Sequence, residues 1–588
     1  MHKDIIEKVQ ALRHFMKQEG FAAFIFPSTD PHQGEYVPAH WMTRQWISGF
    51  DGSAGTAVVT TDDAALWTDS RYFIAAEEQL RNTPFRLMKD GLPETPSVTD
   101  WICETLQAPK SKNAEDLDET AYEKTVGIDG NVFTEADIKA MEAAFGKAGI
   151  KLRTDLDPAE ILWTNRPPIP KNKVEIQPLE YAGETAQSKI ARVRQALREQ
   201  RADHILVSML DEIAWLLNLR GSDVHCNPVF VSYILLTLHD VTLFIDNEKL
   251  DDATKEYLQS IGVGICPYKK PSTENAGTKA ALNPIPEMKV IKNEAEIRGF
   301  RKAMLRDGVA MVKFLRWLKP AVEAGNETEI SIDRKLTELR SEQALYRGLS
   351  FDTIAAYGSH GAIVHYEATP ETDATLEPKG LLLLDSGAQY QDGTTDITRT
   401  IALGPLTDEE RLDYTLVLKG HIRLALTRFP DGISGTQIDA LARYAMWQHG
   451  INYGHGTGHG VGSYLCVHEG PHQIRHSWKP APLRAGMTVT NEPGIYRAGK
   501  HGVRIENTML IVPDGTTEFG SFLRLEPLTL CPIELAPVIW EMMTCEEADY
   551  LNAYHKYVYD SLSPLLDEED RQWLQAQCSP ASCPTGPK

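Results

Sequence analysis

The sequence has no Cys-x-x-Cys pair, no excess of basic residues and no apolar run near the roughly 18 residues a membrane span requires. Its eight cysteines, at 103, 226, 266, 466, 531, 545, 578 and 583, are scattered, and only the last two are close in sequence. In so long a chain this predicts reduced thiols rather than a disulfide framework. The segment after Met1-His2-Lys3-Asp4 has no apolar core of signal-peptide length, so a cytoplasmic protein with no membrane partner is expected. The formal net charge of -22 would repel a phosphate backbone, which excludes nucleic acid as the expected partner. The acidic run 567–570 reads as a solvated helix face or turn.

What is present is ordinary globular material: 588 residues, 42% hydrophobic and 24% charged, enough for three or four domains. Two stretches of the first half look alike. One runs from an apolar strand at 20–26 through Trp46 and 56–60 to Asp69. The other runs from 201–207 through Trp215 and 229–236 to Asp246. Each follows a helix-like segment, at 5–17 and 189–199. Two α/β domains of similar fold are therefore expected. The matched tryptophan and terminal aspartate favour duplication over chance patterning. The proline-rich stretch 163–170 reads as an extended linker, and 283–286 as a second boundary. Beyond it Asn293 and Glu296 form a capping box for a helix whose apolar stripe includes Phe300, Met304, Met311, Phe314 and Leu318 and which Pro320 is expected to end.

Chemistry-bearing residues gather after this helix. Leu381 to Leu384 read as a strand buried on both faces, ending in Asp385. A carboxylate there is costly unless it is paired or holds a metal. Asp396 follows the turn signal Asp392-Gly393, so the two aspartates can lie on adjacent strands. In Gly454-His455-Gly456-Thr457-Gly458-His459-Gly460 the alternate glycines argue against a helix. In an extended chain residues four apart still share a face. His468 follows. Glu492 ends a strand at a Pro-Gly turn, and 502–508 reads as the returning strand, with Arg504 and Glu506 on one face. In isolation those two suggest a surface ion pair. Taken together, four carboxylates in one cavity repel: two like charges about 4 Å apart cost roughly 4 kcal/mol at a dielectric of 20. Two divalent cations would balance them. Four oxygen donors and one imidazole suit Mn2+, with Co2+ or Zn2+ also acceptable.

The ordered set Asp385, Asp396, His459, Glu492 and Glu506 resembles the pita-bread metallopeptidases, and in particular their long, three-domain cytosolic Xaa-Pro aminopeptidase group. Further motifs carry the resemblance: 362–366 with His365, Leu384-Asp385-Ser386-Gly387, 395–400, 455–462, His468-Glu469-Gly470-Pro471 and 491–496. It implies two creatinase-like N-terminal α/β domains, 1–160 and 161–288, a mixed α/β pita-bread catalytic domain at 289–535, and a C-terminal helical extension and tail at 536–588. It implies that Asp385 chelates one metal, that Asp396 and Glu506 bridge both, and that His459 and Glu492 complete the second. A hydroxide shared by the metals would attack the peptide carbonyl, with Glu492 as general base. His365, His455 and His468 would surround the substrate, and Arg504 would orient an aspartate ligand. The implied substrate is a peptide with proline at its second position, and the implied assembly a homodimer. Tyr366 and Val461 are candidate walls for the proline ring. A dipeptide-restricted prolidase, a metal-free peptide-binding module and a creatinase-like amidinohydrolase are the alternatives, and the complete ligand set opposes the last two. The segment 578–588 is expected to be disordered.

Overall fold

A computed structural model describes residues 2–107, 124–273, 277 and 279–581. They divide into two compact units, one of 1–171 with 208–210 and 223–225, the other of 172–207, 211–222 and 226–588.

In the first unit a helix, α1 (His2–Glu19), precedes six strands: β1 (Ala23–Pro27), β2 (Thr56–Thr60), β3 (Ala64–Thr68), β4 (Arg86–Lys89), β5 (Thr125–Ile128) and β6 (Lys151–Arg153). They form one sheet in the order β4-β3-β2-β1-β5-β6. β1, β2 and β3 are fully or nearly fully buried, which explains their continuous apolar runs.

The second unit opens with the same plan. A helix, α2 (Ala186–Gln200), leads into β7 (His204–Val207), helix α3 (Leu210–Leu217), β8 (Tyr233–Thr237), β9 (Val241–Phe244) and β10 (Val263–Cys266). The sheet order β10-β9-β8-β7 repeats β4-β3-β2-β1, with two antiparallel pairs and one parallel pair in each. A single parallel bridge from His204 to Ala280 stands where β5 stands in the first sheet. The expected duplication is thus present in strand order and direction. Residues 166–170 carry neither helix nor strand, as expected of an extended linker. The other expected boundary instead opens a short helix, α4 (Ile285–Lys289), because a proline in the first turn needs no donor.

The rest of the unit is built on helix α5 (Glu294–Ala324), capped by Asn293 and Glu296 as predicted. Pro320 does not end it. The missing N–H costs only one hydrogen bond so near the C-terminus, and buried Leu318 and Val322 keep the last turn packed. Three antiparallel strands follow in space, β11 (Ile354–Tyr357), β12 (Leu381–Ser386) and β13 (Ile397–Ala402), in that order. A second sheet comprises β14 (Arg428–Pro430), β17 (Thr488–Asn491), β20 (Asn507–Thr517) and β21 (Gly520–Pro527), ordered β14-β21-β20-β17. A further three-stranded sheet joins Tyr346–Leu349, Ala388–Tyr390 and Gly393–Thr394, and there are two short ribbons: β15 (Gly458–Gly460) with β16 (Glu469–Ile474), and β18 (Gly494–Arg497) with β19 (His501–Arg504). Helices α6 (Asp408–Ala425) and α7 (Thr436–Trp447) pack with these sheets.

The C-terminal helices α8 (Cys545–Leu562) and α9 (Glu568–Gln577) share the core of this region through Leu551, Tyr554, Val558, Leu562 and Leu574. The acidic run forms the cap and first turn of α9, where carboxylates favour the helix dipole, and its Asp570 is buried against Arg316. Of the tail expected to be disordered, Cys578 caps α9 and Ala581 is hydrogen-bonded to Asn552, while 582–588 lie outside the described residues. Six described cysteines are free, but Cys545 is disulfide-bonded, which corrects the expectation of reduced thiols throughout. Among the described residues no helix is long and apolar enough to cross a membrane.

Candidate metal centre and active site

Asp385 is the fifth residue of β12, paired in register with Thr398 of β13, and Asp396 stands immediately before β13. The two aspartates thus approach one another from adjacent antiparallel strands. Glu492 follows β17 directly, its N–H donating to the Thr457 carbonyl at 2.8 Å. Glu506 lies between β19 and β20, its N–H on the Thr398 carbonyl at 3.1 Å. The returning strand predicted across 502–508 is therefore two strands, broken at Ile505-Glu506, where the chain leaves the β18–β19 ribbon for the larger sheet. His459 is central in β15, an extended segment as the glycines foretold.

The side chains converge. Ligand atoms of Asp396, His459 and Glu506 all lie within 4.8 Å of one another. His459 Nδ1 donates to the Gly460 carbonyl at 2.9 Å, so its Nε2 turns a lone pair toward Asp396 Oδ2 and Glu492 Oε1, each 3.4 Å away. With both carboxylates ionised, three acceptors facing each other at that separation repel one another. Two donors about 2.1 Å from one cation and roughly 90–110° apart would stand about 3.0–3.4 Å apart. Asp385 Oδ1 and Glu506 Oε1 are buried with no hydrogen-bond partner in the protein. Burial, then the charges of Asp385 and Glu492, pushes Asp396 well above the usual carboxylate range. Glu506 is pushed likewise by burial, Asp396, Glu492 and Asp385. Burial raises Glu492 to about 7 against the opposing pull of Arg504. Unpartnered oxygens, an outward lone pair and mutually destabilised carboxylates fit a site for divalent cations.

Arg504 does not pair with Glu506 at the surface. It is fully buried, and its Nη2 donates to Asp385 Oδ2 at 2.7 Å. Its Nε donates to Thr398 Oγ1 at 3.2 Å, and that hydroxyl donates to Glu506 Oε2 at 2.8 Å. Its Nη1 donates to the Tyr496 hydroxyl at 2.7 Å. The donor directions then continue outward. His455 Nδ1 donates to the Gly456 carbonyl at 2.7 Å, so Nε2 of the neutral ring accepts from Tyr496 at 2.8 Å. His455, Tyr496, Arg504 and Asp385 form one hydrogen-bonded relay whose donors run outward from Arg504 toward both ends.

His468 meets the ring of His459 edge to face, centroids 4.3 Å apart, and lies close enough to Asp396 and Glu492 to act on their charge. His365 is half-buried and next to Val364, whose carbonyl accepts from Arg504 at 3.3 Å. Tyr366 is buried, stacked on His360 at 4.4 Å and bonded to Glu329. Val461 offers no wall for a ligand: it is fully buried in a cluster with Phe300, Met304, Leu510 and Leu528.

Several supporting residues carried no sequence signal of their own. Thr490 accepts from the His459 N–H and donates to Glu492 Oε1, both at 3.0 Å. Arg399 donates to the Glu506 carbonyl at 2.6 Å and to Asn507 Oδ1 at 2.9 Å. His421 donates from Nδ1 to the Asn491 carbonyl at 3.1 Å and accepts the Asn491 amide on its own carbonyl at 2.9 Å. Of Thr490, Arg399 and His421, only Arg399 lies inside one of the motifs, 395–400; Thr490 stands one residue before the motif 491–496, and His421 lies in neither.

Fold and site together define a pita-bread metallopeptidase carrying creatinase-like domains. The model for metallopeptidase family M24 matches residues 298–513, the creatinase/prolidase N-terminal domain matches twice, at 8–158 and 165–281, and the C-terminal region of the M24 peptidases matches 521–581. Xaa-Pro aminopeptidase 1 of Dictyostelium discoideum is 40% identical, across 98% of this chain and 96% of that protein. Aminopeptidase P1 of Arabidopsis thaliana is 35% identical, across 98% and 99%. The crystal structure of the X-prolyl aminopeptidase from Caenorhabditis elegans, described as a cytosolic enzyme with a di-nuclear active site, matches with TM-score 0.91 and 34% identity over 98% of this chain and 100% of that one. The chain belongs to metallopeptidase family M24 and, within it, to the Xaa-Pro aminopeptidases, which are hydrolases.

Proposed function

We propose that this enzyme hydrolyses the peptide bond between an N-terminal residue and a following proline, at a dinuclear centre held by Asp385, Asp396, His459, Glu492 and Glu506. The observation that carries this reading is the convergence of the His459 lone pair with Asp396, Glu492 and Glu506 in one buried cavity. The di-nuclear site of the Caenorhabditis elegans relative supports it. Two divalent cations bound there would supply Lewis acidity and a water nucleophile at neutral pH. The oxygen donors favour Mn2+ among the candidates.

The chain's own residues do the rest. Arg504 fixes the rotamer of Asp385, and Thr398 that of Glu506, so the carboxylates are aimed before any ligand arrives. Glu492, steadied by Thr490, accepts a proton from the attacking water. The scissile nitrogen of proline bears no hydrogen and must gain one to leave, and Glu492 is the group beside it that carries one. His468 and His365 face the carbonyl and the developing oxyanion, and His455 acts through Tyr496. The four segments 1–160, 161–288, 289–535 and 536–588 are the domain division consistent with the four family matches. A homodimer in the cytoplasm completes the reading, supported by family resemblance and the cytosolic relative.

The test is hydrolysis of Arg-Pro-Pro and of Gly-Pro by the chelated protein repleted with manganese, cobalt or zinc. Cleavage of the tripeptide, restored by metal and absent in Asp396→Asn together with metal content, is expected. Cleavage of the dipeptide alone would make the enzyme a prolidase, and undiminished rate without metal would overturn the site.

A further inference from the structure

One carboxylate next to the site takes no part in this chemistry yet is held more firmly than any ligand. Glu469 is the first residue of β16, and its side chain is fully buried. Both its oxygens are claimed by ammonium groups, Oε1 by Lys289 Nζ at 2.6 Å and Oε2 by Lys292 Nζ. The lysines are themselves buried at 3% and 1% side-chain exposure. Lys289 also reaches Asp211 Oδ2 at 2.8 Å, at the start of α3 in the second α/β segment. Against the push of burial, the two ammonium charges hold the Glu469 carboxyl below its usual range.

Such a cluster is poor value for stability, because desolvating four charges offsets most of their attraction. What it provides is a fixed position. Glu469 pairs in register with Gly460, the residue after His459, where the β15–β16 ribbon is irregular and backbone hydrogen bonds alone define the register weakly. The residue before Glu469 is His468, whose ring meets His459 at 4.3 Å. Pinning Glu469 therefore pins His468 from one side of a single peptide link.

We propose that Glu469, clamped by Lys289 and Lys292, is a positioning residue that sets His468 against His459, and that Asp211 makes the second α/β segment part of that clamp. The inference rests on the proposed peptidase reading for its kinetic test. Glutamine at 469 carries no charge: it removes the ion pair of both ammonium groups with this position, presents an NH2 to one of them and leaves Asp211 as the carboxylate paired with Lys289, so the start of β16 shifts.

The experiment is a double-mutant cycle on the metal-loaded full-length enzyme with Arg-Pro-Pro. Glu469→Gln is expected to keep its metal and KM while kcat falls about 30-fold, and to add less than about threefold in a His468→Ala background, as coupled residues do. Independent, multiplicative losses, or wild-type kcat in Glu469→Gln, would overturn the proposal. Lys292→Met serves as the second variant if Glu469→Gln does not fold, with the same expected coupling. A readout independent of substrate is the crystal structure of the metal-loaded variant. Displacement of the His468 ring from His459 is expected, and an unmoved ring refutes the clamp even if the enzyme proves to cleave some other bond. An inactive wild type with a displaced ring in the variant would instead remove only the peptidase reading.

Discussion

At the scale of single residues, the site depends on which atom donates to which. Tyr496 stands between a permanent cation and an imidazole and can satisfy both, because its oxygen accepts from Arg504 while its proton goes to His455. Removing that hydroxyl leaves Arg504 Nη1 and His455 Nε2 facing one another in a buried space, at a cost of about 1–3 kcal/mol. In Tyr496→Phe the metal content is expected to stay at the wild-type level while kcat falls about 10- to 100-fold. His455→Ala should do the same, and metal analysis beside steady-state kinetics checks both. Loss of metal in either variant would show that the relay holds the ligands rather than tunes them. Asp385 was legible in the sequence because an apolar run ending in a carboxylate is a costly arrangement that needs an explanation. The partner of Arg504 was legible only through the family resemblance, which implied an aspartate ligand without naming which one; the residue pattern by itself pointed elsewhere. Strand alternation set Arg504 beside Glu506, whereas the fold inserts Thr398, more than a hundred residues earlier, between them and sends the guanidinium to Asp385. A contact so distant in sequence leaves no local trace.

At the scale of elements, what places His459 is the close passage of β15 over β17. A Cβ on Gly458 would stand 1.9 Å from the Thr490 carbonyl oxygen, a backbone atom that cannot yield without moving the strand. Thr490 is also the residue that steadies both His459 and Glu492. Gly458→Ala should therefore cost about 1–3 kcal/mol of stability, the range of an overpacked buried site, and weaken metal binding together with it. Denaturant unfolding and a metal titration measure the two effects, and an intact metal affinity in a destabilised protein would separate the strand crossing from the centre. Glycine in this segment was read from the sequence as an argument for extended chain, which holds. Its stronger meaning, a strand packed against bare backbone, appears only once β17 is in place. The long helix α5 teaches the converse. A rule about proline predicted its end at Pro320, and packing of Leu318 and Val322 overrode the rule.

At the scale of the whole molecule, the buried carboxylates tie stability to metal and to pH. Asp396 and Glu506 are raised well above their ordinary values of 3.8 and 4.5, and Glu492 to about 7. A carboxyl raised in the folded state stabilises fully below its unfolded pKa and loses that contribution as pH rises through the folded one. Without metal, the folded protein should therefore weaken progressively from about pH 4 upward, as the unfolded chain releases protons that the folded site retains. Divalent cations reverse this, since they bind the ionised carboxylates of the folded state and stabilise it by mass action. The expected result is a difference in melting temperature between metal-loaded and chelated protein that is small near pH 4.5 and widens steadily to pH 8. Buried histidines such as His421, lowered by burial to about 3, favour the folded state as pH rises, but they act equally on both forms and cancel in the difference. Paired thermal scans across that range decide the matter. A gap that stays constant with pH would mean that the carboxylates are already ionised in the metal-free fold, and that Arg504 and its neighbours alone neutralise the cavity.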